Sequence, residues 1–368
     1  MKIHFLSRSL HDGGHVSRNN SAGHLQACAS VAEITELAIP SHCVEKLDGP
    51  WRKLRSLRRI PGVGRTLIDR IKEETRSRGP HVLIHTILSG WDLRVAGRLA
   101  PVWDRFDHRV ANVIENLDPA RSARHLSRYD LAACFCDDLR GEIERQVGVP
   151  TLHWPAHTDV LGHVSVGDRR PVDLLEVGRR DRGRYERIES FCRASSERPF
   201  ILDFSTRPNA GHSAPAAVEF ERLMNAYARS RATFCETPAT AARFNGRGPL
   251  TARWVHAWTS GCTVLGAKPD GRGVDDLTDW PESTLELPKD PEDQIPFILD
   301  VLADERGMRR RRHRNAAEAL RRHDTRHRIA SLLDRLGLDR PDRLRAKLAA
   351  IECKAESIEA AADGGTSS

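Results

Sequence analysis

Short apolar runs alternate with longer helical patterns from one end of this chain to the other, and that alternation leaves few folds open to it. In the first half, strands fit residues 2–6, 34–39, 81–86, 109–114, 131–135 and 151–154, with helices over 22–31, 66–77, 93–103 and 139–146. In the second half, strands fit 172–177, 200–203, 232–235, 263–265 and 284–287, with helices over 184–195, 214–228, 253–260 and 295–303. Runs that are apolar throughout belong to strands covered on both faces, and strands separated by helices pair in parallel. The expected class is therefore α/β, with two Rossmann-like parallel-sheet domains facing a cleft and a C-terminal helical extension.

At 368 residues the chain has room for two ordinary domains. The polar stretch 156–170 carries no sustained pattern and reads as the link between the sheets. This gives an N-terminal domain over 1–160, a C-terminal domain over 161–338 and a charged helical or disordered tail over 339–368. Residues 304–336 are helical in pattern and rich in Arg, and 361–368 should be disordered.

The net charge is +7, with a pI near 9.1. Much of it is Arg, which suits phosphate, although a solvated Arg-rich surface explains most of it. Nucleic-acid binding is the weakest reading, because aromatic residues are only 5% of the chain and no nucleic-acid motif is present. The eight cysteines are scattered, with no CxxC pair. They read as reduced, buried thiols of a cytosolic protein rather than as disulfides or zinc ligands. Met1-Lys2 leads straight into a strand, so no signal peptide is expected, and no apolar run is long enough to span a membrane.

The segment Leu250-Thr251-Ala252-Arg253-Trp254-Val255-His256-Ala257-Trp258-Thr259-Ser260-Gly261-Cys262-Thr263-Val264 reads as a short helix, a Gly turn and a buried strand. A helix N-terminus offers free N–H groups and a favourable dipole to an anion. Arg253 adds a planar fork for phosphate oxygens. Thr251 and Arg253 are therefore candidates to hold a diphosphate.

This segment resembles the donor-binding stretch of group 1 nucleotide-sugar-dependent glycosyltransferases. Arg170-Pro171-Val172-Asp173-Leu174-Leu175-Glu176-Val177-Gly178-Arg179-Arg180 resembles the strand and Gly-Arg turn that open their C-terminal domain. Arg321-Arg322-His323-Asp324-Thr325-Arg326-His327-Arg328 resembles the pattern before their closing helix. The three matches lie in the family's order within 170–338, while 1–160 matches only in rhythm.

The resemblance implies a GT-B fold. It also implies transfer of a sugar from a nucleotide-diphosphate donor to an acceptor hydroxyl, in a bacterial glycan or glycoconjugate pathway. Arg179 would contact the donor diphosphate, His256 and Gly261 the donor ribose or sugar, and the Gly13-Gly14 loop the acceptor. Asp12, His15 and His85 are the candidates for the base that deprotonates the acceptor. The closing helix would cross back to brace the first domain. Two positions depart from the family: His256 stands where it carries Glu, and Thr325 where it carries Trp. These departures motivate an alternative, a non-catalytic sugar-nucleotide or glycan-binding protein of the same fold.

HExxH, Walker A, nucleophile-elbow, GxGxxG and Asp-x-Asp motifs are all absent, so no metal or cofactor is expected. Arg and a helix N-terminus would stabilise the leaving diphosphate instead. Residues 51–78 hold ten Lys or Arg against three acids, beside Trp51, Leu54, Leu57 and Ile60. A solvated surface is one reading of this stretch; weak contact with an anionic membrane, and so a peripheral location, is the other.

Overall fold

Side chains alternate between the two faces of a strand, so each apolar run feeds two cores at once. A computed structural model describes residues 1–8, 16–39, 63–88, 92–93, 97, 99–114, 118–178, 181–194, 201–204, 215–236 and 248–363. The first sheet contains β1 (Lys2–Arg8), β2 (Glu33–Ile39), β3 (His81–Ile87), β4 (His108–Val113), β5 (Leu131–Cys134) and β6 (Thr151–His153), in the order β2-β1-β3-β4-β5-β6. The second contains β7 (Val172–Val177), β8 (Ile201–Phe204), β9 (Ser230–Cys235), β10 (Thr263–Gly266) and β11 (Leu285–Glu286), in the order β11-β10-β9-β7-β8. All pairs are parallel. Both sheets start in the middle, place their second strand on one side and continue on the other.

The described helices are α1 (Val16–Ala29), α2 (Val63–Glu74), α3 (Pro119–Leu126), α4 (Asp137–Val147), α5 (Val160–His163), α6 (Arg182–Ala194), α7 (Ala216–Ala228), α8 (Ala252–Thr259), α9 (Asp275–Thr278), α10 (Pro291–Ala303), α11 (Glu305–His323), α12 (Thr325–Arg335) and α13 (Asp342–Asp363). On the first sheet Ile3, Phe5, Val82, Ile84 and Val110 meet Cys28 of α1 and Ile329, Leu332 and Leu333 of α12. The opposite face carries Leu6, Leu37, Leu83, Ile87 and Ala111 against Leu67 and Ile71 of α2. The closing helix α12 thus belongs to the core of the sheet that begins the chain.

Two local readings need correction. The helix expected over 93–103 is helical at its described positions 93 and 97 but ends early, in a 3-10 turn at Ala100–Arg105, because Pro101 lacks the N–H a continuing helix needs. Helix α3 was not expected, although Asp118 caps it by accepting from Arg121 N, and Pro119 stands in its first turn.

The charged segment after residue 339 folds onto the body. Ile351, Ala355 and Ile358 of α13 pack against Ala316, Ala317, Ala319 and Leu320 of α11, and Leu344 reaches the first sheet's core. Arg321 of α11 ties the pair together, donating to Glu352 (2.9 Å) and Glu359 (2.6 Å).

The first part of the stretch 156–170, residues 156–160, is buried and serves as the dock for α12. Thr158 N donates to His323 O (3.1 Å), and Thr325 N donates back to Thr158 O (2.9 Å). Arg326 Nη1 lies 2.8 Å from Asp159 Oδ1 and 3.0 Å from both oxygens of Asp324, and its Nε donates to Ser30 Oγ, in the turn after α1 (3.2 Å). All three members of this ion cluster are at most 5% exposed in their side chains. The two halves also meet where Gly23 of α1 faces the ring of Phe220 of α7. A Cβ at Gly23 would lie 2.6 Å from that ring.

Gly266 ends β10 with φ +141°, and a Cβ there would collide with the carbonyl oxygen of Cys235 on β9. Both atoms are fixed by the sheet. Gly266→Ala should therefore lower unfolding free energy by roughly 2–5 kcal/mol, combining backbone strain with overpacking. Urea denaturation checks this, and a variant as stable as the wild type would refute the tight strand end.

Candidate functional site

Open parallel sheets bind ligands beyond the carboxyl ends of their strands, at the point where strand order reverses. In the first sheet that point lies between β1 and β3. A cavity of about 30 Å³ sits there. Phe5 and Ser7 of β1, Thr86 of β3 and Asn112 of β4 form its floor. Ser21, His24 and Cys28 of α1 cover one side, while Trp154, His157 and Thr325 close another. Trp154 Nε1 donates to His157 Nε2 (2.8 Å), and His157 Nδ1 lies 3.0 Å from Thr325 Oγ1. His24 stacks on His157 at 3.8 Å between centroids. Burial pushes His24 down to about 4 and His157 well below 6.5. Both imidazoles are neutral at pH 7.

The sequence-derived base candidates fall differently. Asp12 and His15, with Gly13 and Gly14, lie outside the described residues, in the connection between β1 and α1. His85 precedes Thr86 on β3, so its side chain points to the sheet face opposite the cavity wall. It is fully buried, with Nδ1 2.6 Å from the Tyr129 hydroxyl, and burial pushes it down to about 4. This geometry keeps His85 out of the cavity. Asn112, Trp154 and His157 were not singled out from sequence. Asn112 had one local signal: it is a polar residue among Val110, Ala111 and Val113 in the buried carboxyl half of β4.

In the second sheet the reversal lies between β7 and β9. Gly178 continues β7 with φ +76°, a turn that suits glycine, while Arg179 lies outside the described residues. Helix α8 starts nearby. Thr251 is its N-cap, yet its side chain makes no capping bond, and its buried Oγ1 has no partner among the described residues. Arg253 is half-buried in the first turn. Burial pushes the Cys235 thiol at the end of β9 up, and the Arg253 charge is the largest opposing influence. Arg184 of α6 pairs with Glu236 just beyond that end and lies 4.1 Å over the Phe234 ring.

His256 is 2% exposed. It packs edge-on against Phe220 (5.7 Å) and Tyr227 (6.0 Å) of α7, and burial pushes it down to about 3. Its Nε2 has no partner among the described residues. Gly261 stands beyond the other end of α8, whose eight residues separate it from Thr251 by about 12 Å. Its φ of +65° ends the helix, and a Cβ would lie 2.6 Å from Arg312 Cγ. The requirement for glycine there is one of backbone and packing.

Residues 51–62 of the basic stretch lie outside the described residues. From residue 63 the stretch becomes α2, whose Leu67 and Ile71 already cover the first sheet. No helix among the described residues is long and apolar enough to cross a membrane.

No family model matches the chain, and no curated protein matches it in sequence. Among solved structures, the apo structure of OtsA superposes with a TM-score of 0.55 at 9% identity, covering 90% of this chain and 98% of that one. The N-terminal domain of the Candida albicans trehalose-6-phosphate phosphatase gives 0.52 at 10% identity, covering 91% and 98%. At such identities the likeness carries the fold alone: this chain has two Rossmann-like parallel-sheet halves in the GT-B arrangement.

Proposed function

We propose that this protein transfers a sugar from a nucleotide-diphosphate donor to an acceptor hydroxyl, with the acceptor on residues 1–160 and the donor on 161–338. The observation that carries this reading is a pair of strand-order reversals in one GT-B chain, one beside a neutral cavity and the other beside Thr251 and Arg253. In this scheme Arg179, Arg253 and the α8 N-terminus take up the charge of the departing diphosphate. Asp12 or His15, in the connection from β1 to α1, accepts the proton of the acceptor hydroxyl as its oxygen bonds to the sugar carbon and the bond to the diphosphate breaks.

A second reading, a binder without catalysis, is favoured by one observation. The position where the resemblance expects a carboxylate holds a neutral, enclosed imidazole, which offers one acceptor and one donor instead of two acceptor oxygens. A thermal-shift panel of nucleotide diphosphates and their sugars, followed by assay for released nucleotide diphosphate, separates the two. Stabilisation with turnover supports transfer, stabilisation without turnover supports the binder, and no stabilisation by any member overturns both.

Arg253→Ala should weaken binding of a nucleoside diphosphate by roughly 1.5–3 kcal/mol, tenfold or more in Kd, and leave the nucleoside nearly unaffected. Calorimetry with both ligands checks this. Equal losses would remove Arg253 from the diphosphate site.

A further inference from the structure

Donor binding is assigned to the second sheet, so it leaves the cavity of the first sheet unexplained. Three features of its walls bear on what it holds. No described wall residue carries a formal charge. Its two imidazoles, His24 and His157, are stacked and held neutral at pH 7 by burial, and its other polar groups are hydroxyls such as Ser7 and Thr86 and the amide of Asn112.

Asn112 supplies the second feature. It is only 8% exposed, and its buried Oδ1 has no partner among the described residues. Buried acceptors are rarely left without a donor, and a ligand hydroxyl is a donor of the right kind. The third is Thr325, which lines the cavity at the position where the family pattern carries Trp. An indole there would project into the space that the short Thr side chain leaves open.

We propose that this cavity is the acceptor subsite and takes an uncharged, hydroxyl-bearing group, the end of a sugar or alditol, with Asn112 accepting one of its hydroxyls and Thr325 providing the room. This assignment rests on the sugar-transfer reading above. A phosphate or carboxylate would give up its hydration here without meeting a cation, which disfavours charged acceptors. A volume of about 30 Å³ admits a hydroxyl-bearing end rather than a whole oligosaccharide.

The test uses the full chain, with calorimetry and side-chain NMR of the histidines as readouts. The probes are glucose, glycerol and myo-inositol, set against glucose 6-phosphate and glucuronate, with and without UDP. At least one neutral probe should bind at least tenfold more tightly than the charged probes and perturb the His24 and His157 signals. Asn112→Leu and Thr325→Trp should each weaken that binding tenfold or more and leave the UDP Kd within twofold. Thr325→Val keeps the volume and should retain binding within threefold. If Thr325→Trp does not fold, Asn112→Leu, verified folded by circular dichroism, decides.

The proposal is overturned if charged probes bind as well as neutral ones, if no neutral probe binds in either state, or if the variants bind like the wild type. Failure of the two readings is distinguishable. UDP binding without any neutral probe removes this subsite and leaves sugar transfer standing. Neutral probes binding as expected, with no nucleotide diphosphate bound, removes the transfer reading and leaves the chemistry of the cavity.

Discussion

Lowering the pH from 7 to 5 will destabilise this protein by several kcal/mol, enough to bring it close to unfolding. The cause is a set of buried imidazoles. Burial pushes His24 and His85 down to about 4, and His256 and His323 to about 3, from 6.5. Between those values the unfolded chain binds protons that the native state refuses, so stability falls as the pH falls. Their contribution is complete above about pH 6.5 and is lost as the pH drops toward 4. At pH 5 each site lies about 1.5 pH units below its unfolded pKa, worth roughly 2 kcal/mol at about 1.4 kcal/mol per unit. Together these sites approach the roughly 5–15 kcal/mol by which a native protein is held. Urea midpoints at pH 7, 6 and 5 should fall steeply. A flat series would mean that these rings take up protons in the native state.

Asp324→Ala will be among the most damaging single substitutions, with an expected loss of about 3–5 kcal/mol. Asp324 is completely buried. One oxygen accepts from Leu161 N (2.8 Å), the other from Arg326 N (2.8 Å), and both lie 3.0 Å from Arg326 Nη1. Removing it strands two backbone donors, uncaps α12 and leaves the Arg326 guanidinium, itself 4% exposed, with Asp159 as its one remaining carboxylate among the described residues. The damage should be concentrated where α12 meets the first sheet, because that is where the cluster docks it. Hydrogen exchange of α12 amides should therefore accelerate more than that of β9 or β10. Asp324→Asn keeps the size and part of the hydrogen bonding, so it should lose less than Asp324→Ala. If Asp324→Ala is within 1 kcal/mol of wild type, the ion cluster is not what holds α12.

The strands were legible in the sequence because a run such as Val82-Leu83-Ile84 carries its own signal: apolar residues in sequence, preceded by the turn formers Gly79-Pro80. Helix positions followed from the spacing between such runs, and with them the α/β class, the parallel sheets and the strand ends beyond which open α/β sheets generally bind ligands. The diphosphate candidates Thr251 and Arg253 were legible for the same reason, since a helix start is written in adjacent residues.

The burial of polar residues was decided only by tertiary structure, because it depends on partners far along the chain. The stretch 156–170 reads as a polar linker, yet Asp159 is buried against Arg326, 167 positions away. His256 reads as facing a ligand from its motif alone, but α7 encloses it with Phe220 and Tyr227. The charged segment after residue 339 gains a buried stripe only because α11 presents small alanines to it. Thr325 looks like a lost aromatic anchor until the fold sets it against Trp154, His157 and Asn112, where its small size leaves a cavity open. Local periodicity fixes where the backbone is extended or helical. Whether a polar side chain meets water, a counter-charge or a cavity is a property of the assembled chain.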